Sequence, residues 1–536
     1  MPQPIPQAKV WSLDPRTGER RAEVAVESDT AAVDRAVTAA HQALPALADR
    51  LVRARLLLAA ADALAKAGDE LVNTADAETA LGSARLTGEL ARTAGQLRAF
   101  ATVAREGALL DVVIDHPATP GAGPVLRRWL TPIGVVGVFA ASNFPLAFSV
   151  LGGDTASALA AGCPVVVKAH ADHPATAELA ARLLHAAARE VGVPAAVLGL
   201  VHGFAAGVDL VRHPALRAVG FTGSLRGGRA LSDLAAARPR PIPFHGELGS
   251  LNPVVVTERA ADERAAEIGT GLAGSVTLGA GQFCTKPGLV LVPAGPAGDR
   301  LAAATAAALA AVPAGVPLDG RIGAAYLAGC QARAALPGVA SLTAVPDAEA
   351  PGRRLRPCCL ELPAALLIEP EPEPDAGAGA ATGAGAATGA EAGNADHTLL
   401  LEECFGPLVV LARYRDAAEA AAVLARVEGS LTATLHTAPH EPEAAHWLPS
   451  LAAIAGRVLV GGWPTGVAVL PAMHHGGPYP ASTSNSTSVG ATAVERWLRP
   501  VVYQDAPPEL LPPELHDANP LRVPRRVDGQ LERPNA

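Results

Sequence analysis

Ile133–Ala140, IGVVGVFA, followed by Cys163–His170, CPVVVKAH, is the passage on which the architecture turns. Each run is short, apolar and rich in β-branched valine, the pattern of strands buried on both faces. A helical run over Leu179–Gly192 comes next, then two more apolar runs, Ala196–Gly203 (AVLGLVHG) and Leu216–Ser224 (LRAVGFTGS). Strands alternating with helices at this spacing imply parallel βαβ units and a doubly wound nucleotide-binding sheet. The uncharged run from Thr131 to Gly153 is long enough to cross a bilayer. Gly134, Gly137, Asn143 and Pro145 interrupt it, so it reads as a buried strand and no membrane span is expected. There is no GxGxxG. Ser224 is instead placed to cap a helix over Leu225–Leu234, leaving backbone N–H groups where a phosphate can sit, although a Gly-Ser turn alone is equally an ordinary cap.

Upstream, Thr30–Gly107 carries apolar residues at three- and four-residue intervals and reads as helices parted by glycine and polar turns. Arg85, Glu89, Arg92 and Gln96 share one face there, a stripe that elsewhere is usually a solvated, ion-paired surface. Residues 116–130 are Pro/Gly-rich and then extended. Downstream, 252–257 reads as a strand and AADERAAEIGTGLA as a helix, opening a second α/β unit. Residues 369–397 are low in complexity and read as a mobile surface insertion. Ala493–Gln504 reads as an extended segment able to join a neighbour's sheet, and the last thirty residues, rich in proline, as a surface wrap.

With 536 residues the chain exceeds one core. An apolar fraction of 49% and a formal charge of −9 describe a soluble protein with no bias toward nucleic acid. Its lysines are Lys9, Lys66, Lys168 and Lys286 alone, and two of them fall inside candidate site motifs. The six cysteines show no CxxC spacing and no disulfide framework, so reduced thiols, a cytoplasmic setting and no metal are expected. The N-terminus lacks the pattern of a signal peptide.

Leu278–Gly288, LGAGQFCTKPG, sets Cys284 behind flexible glycines and beside Lys286, which would favour a nucleophilic thiolate. Taken alone, Cys284 is more readily a small buried hydrophobe. Glu247 in FHGELGSLNP, taken alone, is a solvated charge, and Asn143 in ASNFPLAF a turn residue ahead of Pro145. As a set, Asn143, Gly223-Ser224, Glu247 and Cys284, with Glu402, Glu403, Phe405, Gly406 and Pro407 matching an EExFGP signature, resemble the aldehyde dehydrogenase superfamily over most of the chain. The resemblance implies Cys284 as nucleophile and Asn143 with the Cys284 backbone N–H as oxyanion donors. It implies Glu247 as the base that activates water against the thioester. It also implies Lys168 at the adenosine ribose, Gly223 and Ser224 at the diphosphate, and Glu403 and Phe405 at the nicotinamide end.

Ala171 stands where an acid usually grips the ribose 2′-hydroxyl, so NADP is expected as cofactor, with NAD possible because GFAAGVDL offers no arginine to clamp a 2′-phosphate. RLTGELARTAGQLRAF, GQFCTKPG, HHGGPYPASTSNSTSVG and LPPELHDANPLR resemble α-ketoglutaric semialdehyde (2,5-dioxopentanoate) dehydrogenases, also grouped with NADP-dependent fatty aldehyde dehydrogenases. That implies oxidation of 2,5-dioxopentanoate to 2-oxoglutarate, with Arg92 and Gln96 facing the substrate's distal end. Departures are the insertion, Cys404, His245 and the stretch Val345–Ile368. The expected architecture is α/β, aldehyde dehydrogenase-like. A doubly wound cofactor-binding domain (1–115 and 131–246) joins an α/β catalytic domain (247–480), with small β oligomerisation segments (116–130 and 485–506) and a Pro-rich tail (507–536). A homodimer or homotetramer is expected, acting on a small aldehyde with no nucleic-acid or membrane partner. Two other readings stay open: another aldehyde dehydrogenase, of fatty or other aldehydes, and a Cys-dependent hydrolase or acyltransferase without hydride transfer.

Overall fold

The computed structural model describes residues 8–119, 123–347, 354–368 and 397–533. The low-complexity insertion lies outside the described residues except for His397. The chain forms two compact units, residues 1–249 with 318–320 and 467–536, and residues 250–317 with 321–466.

The first unit is built on a five-stranded sheet whose spatial order is Leu198–Val201, Val165–Lys168, Val135–Phe139, Leu216–Thr222, Phe244–Glu247. All neighbours are parallel, as valine-rich strands buried on both faces require. Val135–Phe139 is central and buried throughout. The strand order reverses beside it, so ligands are expected along the edge where Phe139, Lys168, Val201, Thr222 and Glu247 end their strands. Upstream, four helices cover the region that the apolar spacing predicts, Thr30–Ala43, Arg50–Lys66, Gly68–Thr79 and Ser83–Glu106. The last ends on Gly107, whose φ of 74° gives the left-handed cap that favours glycine. It buries Leu86, Leu97 and Phe100 in the core formed with Leu56, Leu57 and Leu64.

A second sheet in this unit runs Leu498–Gln504, Leu126–Pro132, Val112–Asp115, Arg525–Val527, Gln530–Glu532. Two expectations change here. Ala491–Trp497 winds into 3-10 turns, and the strand after it pairs antiparallel with Leu126–Pro132 of the same chain. The tail is more than a wrap. Asp528 and Gly529, both at positive φ, make a two-residue turn between its two strands, and Arg525–Val527 lies parallel to Val112–Asp115.

The second unit has a seven-stranded sheet, parallel except at the Ala340–Ser341 edge. Its valines alternate faces with the period of a strand. Val254, Val256, Val290 and Val292 join one core, Val255, Leu289 and Leu291 the other. This unit closes at Gly466 instead of 480. The reason is hydrogen bonding: Leu248 N–H donates to Ala481 O (2.9 Å) and Thr483 N–H to Gly246 O (3.0 Å), which ties the 467–490 loop to the strand ending at Glu247.

Candidate active site

Glu247 ends its strand with only 4% of its surface exposed, and the reading of it as a solvated charge does not hold. His475 Nε2 lies 3.1 Å from its Oε1, and Ser488 Oγ donates to its Oε2 at 2.9 Å. Both partners come from the Ser/Thr-rich 467–490 loop. That loop supplies its own donors and acceptors: His475 N–H donates to Thr487 Oγ1 (2.7 Å), and Ser488 N–H to His475 O (2.9 Å). Satisfying buried polar groups in this way lowers the cost of burying them. The result is a carboxylate fixed in orientation, shielded from bulk water and backed by an imidazole, which suits it to taking a proton from a bound water.

The polar stripe of the Ser83–Glu106 helix points toward this cluster. Arg92 lays its guanidinium against Phe148 and Phe144, 5.2 and 5.7 Å from the ring centroids, and Phe148 in turn lies 6.1 Å from the His475 ring. Gln96 is buried, and neither of its amide atoms has a hydrogen-bond partner. A Cβ placed on Gly153 would stand 2.8 Å from Gln96 Nε2 and 3.2 Å from Ser488 O, which locates the amide beside the Glu247 cluster.

The rest of the stripe positions Asn143. Arg85 donates to Asn143 O at 2.5 Å, and Glu89 Oε1 accepts from Leu146 N–H (2.8 Å) and Ala147 N–H (2.9 Å). Burial raises the Glu89 pKa, while Arg85, 3.9 Å away, and those two N–H groups oppose the rise. The stripe is therefore neither solvated nor a simple ladder of ion pairs.

Along the carboxyl edge of the first sheet, Lys168 ends its strand and Ser224 caps Leu225–Ala236, its Oγ accepting from Gly227 N–H at 3.2 Å. Gly223 packs against Phe221, where a Cβ would come within 2.9 Å of the ring. Ala171 is exposed, whereas Asp172 turns inward, its carboxylate 3.4 Å from His170 Nδ1. Phe204, 85% exposed, opens the Phe204–Arg212 helix, and Gly207 of that helix sits against Lys168. A cation, a capped helix N-terminus and an exposed aromatic face at one sheet edge fit a dinucleotide.

In the second unit Cys284 is partly exposed, in the loop that leads into the strand Leu289–Pro293. Asn252 fixes this loop: its Nδ2 donates to Cys284 O (2.8 Å) and Lys286 O (3.0 Å). Its Oδ1 accepts from Ser250 Oγ (2.7 Å) and Thr432 Oγ1 (2.9 Å). At φ 56° it occupies left-handed backbone that asparagine tolerates better than most residues. Gly281, at φ 71°, lets the loop pass Gly406 and Pro407, where a Cβ would come within 2.3 Å of backbone atoms. The same contact connects the Cys284 loop to the segment holding Glu403 and Phe405.

The expected service of Lys286 to the thiolate is not what is seen. Its ammonium is buried and donates to Leu408 O at 2.8 Å, and burial lowers its pKa. Arg457 is a second cation of this unit. Its guanidinium, bonded to Pro464 O (2.6 Å) and Gly466 O (3.2 Å), lies within electrostatic reach of Cys284.

The first unit thus gathers Glu247, Asn143, Arg92 and Gln96 and carries Lys168, Gly223 and Ser224 on its sheet edge, while the second holds Cys284, Glu403 and Phe405. His475, Ser488, Asn252 and Arg457 escaped the sequence reading. Asn252 lay inside the quoted motif ELGSLNP, and His475 and Ser488 inside HHGGPYPASTSNSTSVG, but no role was attached to any of the three. All six cysteines are free. Among the described residues no helix is long and apolar enough to cross a membrane.

The family model described as "Aldehyde dehydrogenase family" matches residues 5–332. Alpha-ketoglutaric semialdehyde dehydrogenase 2 of Azospirillum brasilense is 47% identical over 95% of this chain and 93% of its own length. Alpha-ketoglutaric semialdehyde dehydrogenase of Acinetobacter baylyi is 39% identical over 85% and 82%. Among solved structures, aldehyde dehydrogenase C of Pseudomonas syringae, a mutant form with NAD+ and octanal, superposes with a TM-score of 0.75 at 21% identity, over 94% of this chain and 95% of that one, a likeness of fold.

Proposed function

The chain belongs to the aldehyde dehydrogenase family, and from that premise we propose that its substrate is a semialdehyde with a distal carboxylate, 2,5-dioxopentanoate, which it oxidises to 2-oxoglutarate. It is an NAD(P)-dependent aldehyde oxidoreductase. Two relatives that match over most of their length carry the α-ketoglutaric semialdehyde name, which supports the substrate.

In the proposed chemistry the Cys284 thiolate bonds to the aldehyde carbon, and the carbonyl electrons move onto oxygen. The Asn143 amide and the Cys284 backbone N–H hold that oxyanion. A bound nicotinamide dinucleotide supplies the hydride acceptor. As the carbonyl re-forms and hydride departs, Cys284 is left as a thioester. Glu247, held by His475 and Ser488, takes a proton from water whose oxygen attacks the thioester carbon. The thiolate leaves and the acid is released. Lys168, Gly223 and Ser224 bind the adenosine and diphosphate part, with Glu403 and Phe405 at the nicotinamide end. NADP is used at least as well as NAD, a reading supported by exposed Ala171 and inward-turned Asp172. The working assembly is a homodimer or homotetramer.

The observation that carries the substrate proposal is the sequence of contacts from Arg92 through Phe148 to His475 and Glu247. A guanidinium that near the base is placed to take a carboxylate in a bidentate grip, with Gln96 adding a neutral hydrogen bond. Arg92→Met should lower kcat/KM on 2,5-dioxopentanoate by about tenfold or more while sparing a neutral aldehyde of similar length. Equal losses on both would remove Arg92 from substrate recognition.

A further inference from the structure

A cavity of about 740 Å³ opens in the first unit, between the end of the Ser83–Glu106 helix and the C-terminal hairpin. Nothing in the proposed oxidation uses it. Five arginines line it, Arg105, Arg522, Arg525, Arg526 and Arg533, against two acids, Glu106 and Asp111.

Their commitments differ. Arg525 is fully engaged: Nε donates to Glu532, and its two terminal nitrogens donate to His516 O and Asp517 O, each at 2.7 Å. Arg526 gives one nitrogen to Gly529 O at 2.8 Å and keeps its charge unneutralised by that carbonyl. Asp111 is neutralised by Arg128 at 2.6 Å. That leaves Arg105, Arg522, Arg526 and Arg533 lining the cavity with Glu106, a local excess of positive charge on a chain of formal charge −9. A helix C-terminus ordinarily repels anions through its free carbonyls. Here Arg50 donates to Arg105 O and to Leu521 O, covering the helix end and tying it to the tail.

Convergent guanidiniums around a concave space are the recurring chemistry for planar or tetrahedral anions, since each offers a fork of donors to paired oxygens. Leu531 supplies an apolar wall. We propose that this cavity binds a polyvalent anion, a small molecule bearing two or more phosphate or carboxylate groups.

The test is titration calorimetry on the full chain with NAD and NADP present, so that the dinucleotide edge is occupied. Inorganic pyrophosphate and citrate are the probes, and sodium chloride at matched ionic strength is the control. Binding of either probe at one per chain supports the site, and the tighter of the two says whether phosphate or carboxylate is preferred. The triple variant Arg522→Ser, Arg526→Ser, Arg533→Ser should weaken that binding at least tenfold with unchanged dehydrogenase turnover. Leu531→Glu, which puts a carboxylate on an exposed wall position, should weaken it comparably and serves if the triple variant misfolds. No heat beyond the chloride control, or wild-type affinity in the variants, would overturn the proposal.

Discussion

His475 Nε2 stands 3.1 Å from Glu247 Oε1, with 2% and 4% of the two side chains exposed. Two groups with so little solvent act as one device, because neither can exchange its partner for water without moving the loop that carries the histidine.

The first prediction concerns that contact. His475→Phe keeps an aromatic ring and removes the polar nitrogen facing Oε1, so steady-state kcat should fall about tenfold or more while the first-turnover formation of reduced cofactor survives. His475→Gln, whose amide N–H can still reach Oε1, should recover part of the loss. If His475→Phe leaves kcat unchanged, the imidazole does not support the base.

From a buried position Asn252 holds the Cys284 loop through two hydrogen bonds and is itself anchored by two more, from Ser250 and Thr432. Asn252→Ala would strand two carbonyls and two hydroxyls, and would also put alanine at a φ of 56°. Chemical denaturation should show a loss of about 2–4 kcal/mol. A loss under about 0.5 kcal/mol would mean that the loop is held elsewhere.

These two residues show where the sequence was informative and where it was not. Val135–Phe139 and Val165–Lys168 were legible because burial on both faces forces continuous apolar runs, and Gly107 because a helix end needs a left-handed cap. Cys284, Glu247 and Asn143 entered the reading as a motif set, by resemblance, and their roles remain part of the proposal. His475 was not legible: it is more than two hundred residues from Glu247 in sequence, in a polar loop whose quoted motif says nothing of which side chain turns toward the carboxylate. Lys286 misled because sequence proximity to Cys284 says nothing about side-chain direction. The tail hairpin did carry a signal, Asp528-Gly529 between residues of strand character, masked by the prolines around it.

His245 should shape the acid limb of stability. Burial, with Arg496 nearby, lowers its pKa to about 3 from the ordinary value of 6.5. The imidazole is thus neutral when folded, and the unfolded chain takes up a proton first as pH falls. The stability it contributes is complete above pH 6.5 and is lost as pH drops toward 3, on the order of a few kcal/mol. His245→Phe, facing Trp497 as the imidazole does at 5.3 Å, should flatten the pH dependence of unfolding in that window. An unchanged slope would contradict this.

The proposed use of NADP rests on Ala171. A carboxylate there would face a 2′-phosphate at a cost on the order of 1 kcal/mol even with screening. Ala171→Glu should therefore shift the NADP-to-NAD ratio of kcat/KM about fivefold or more toward NAD. A wild type that does not use NADP at all would mean that Ala171 does not set the choice.

At the centre of the proposed chemistry stands a thioester on Cys284 that water cleaves with Glu247 as base. Rapid-mixing measurement of reduced-nicotinamide absorbance in Glu247→Gln, beside wild type and Cys284→Ala, tests it most directly. The prediction is a burst approaching one equivalent per active site in Glu247→Gln, then near-arrest, with neither burst nor turnover in Cys284→Ala. Wild-type steady-state turnover in Glu247→Gln, or any burst without the Cys284 thiol, would contradict it.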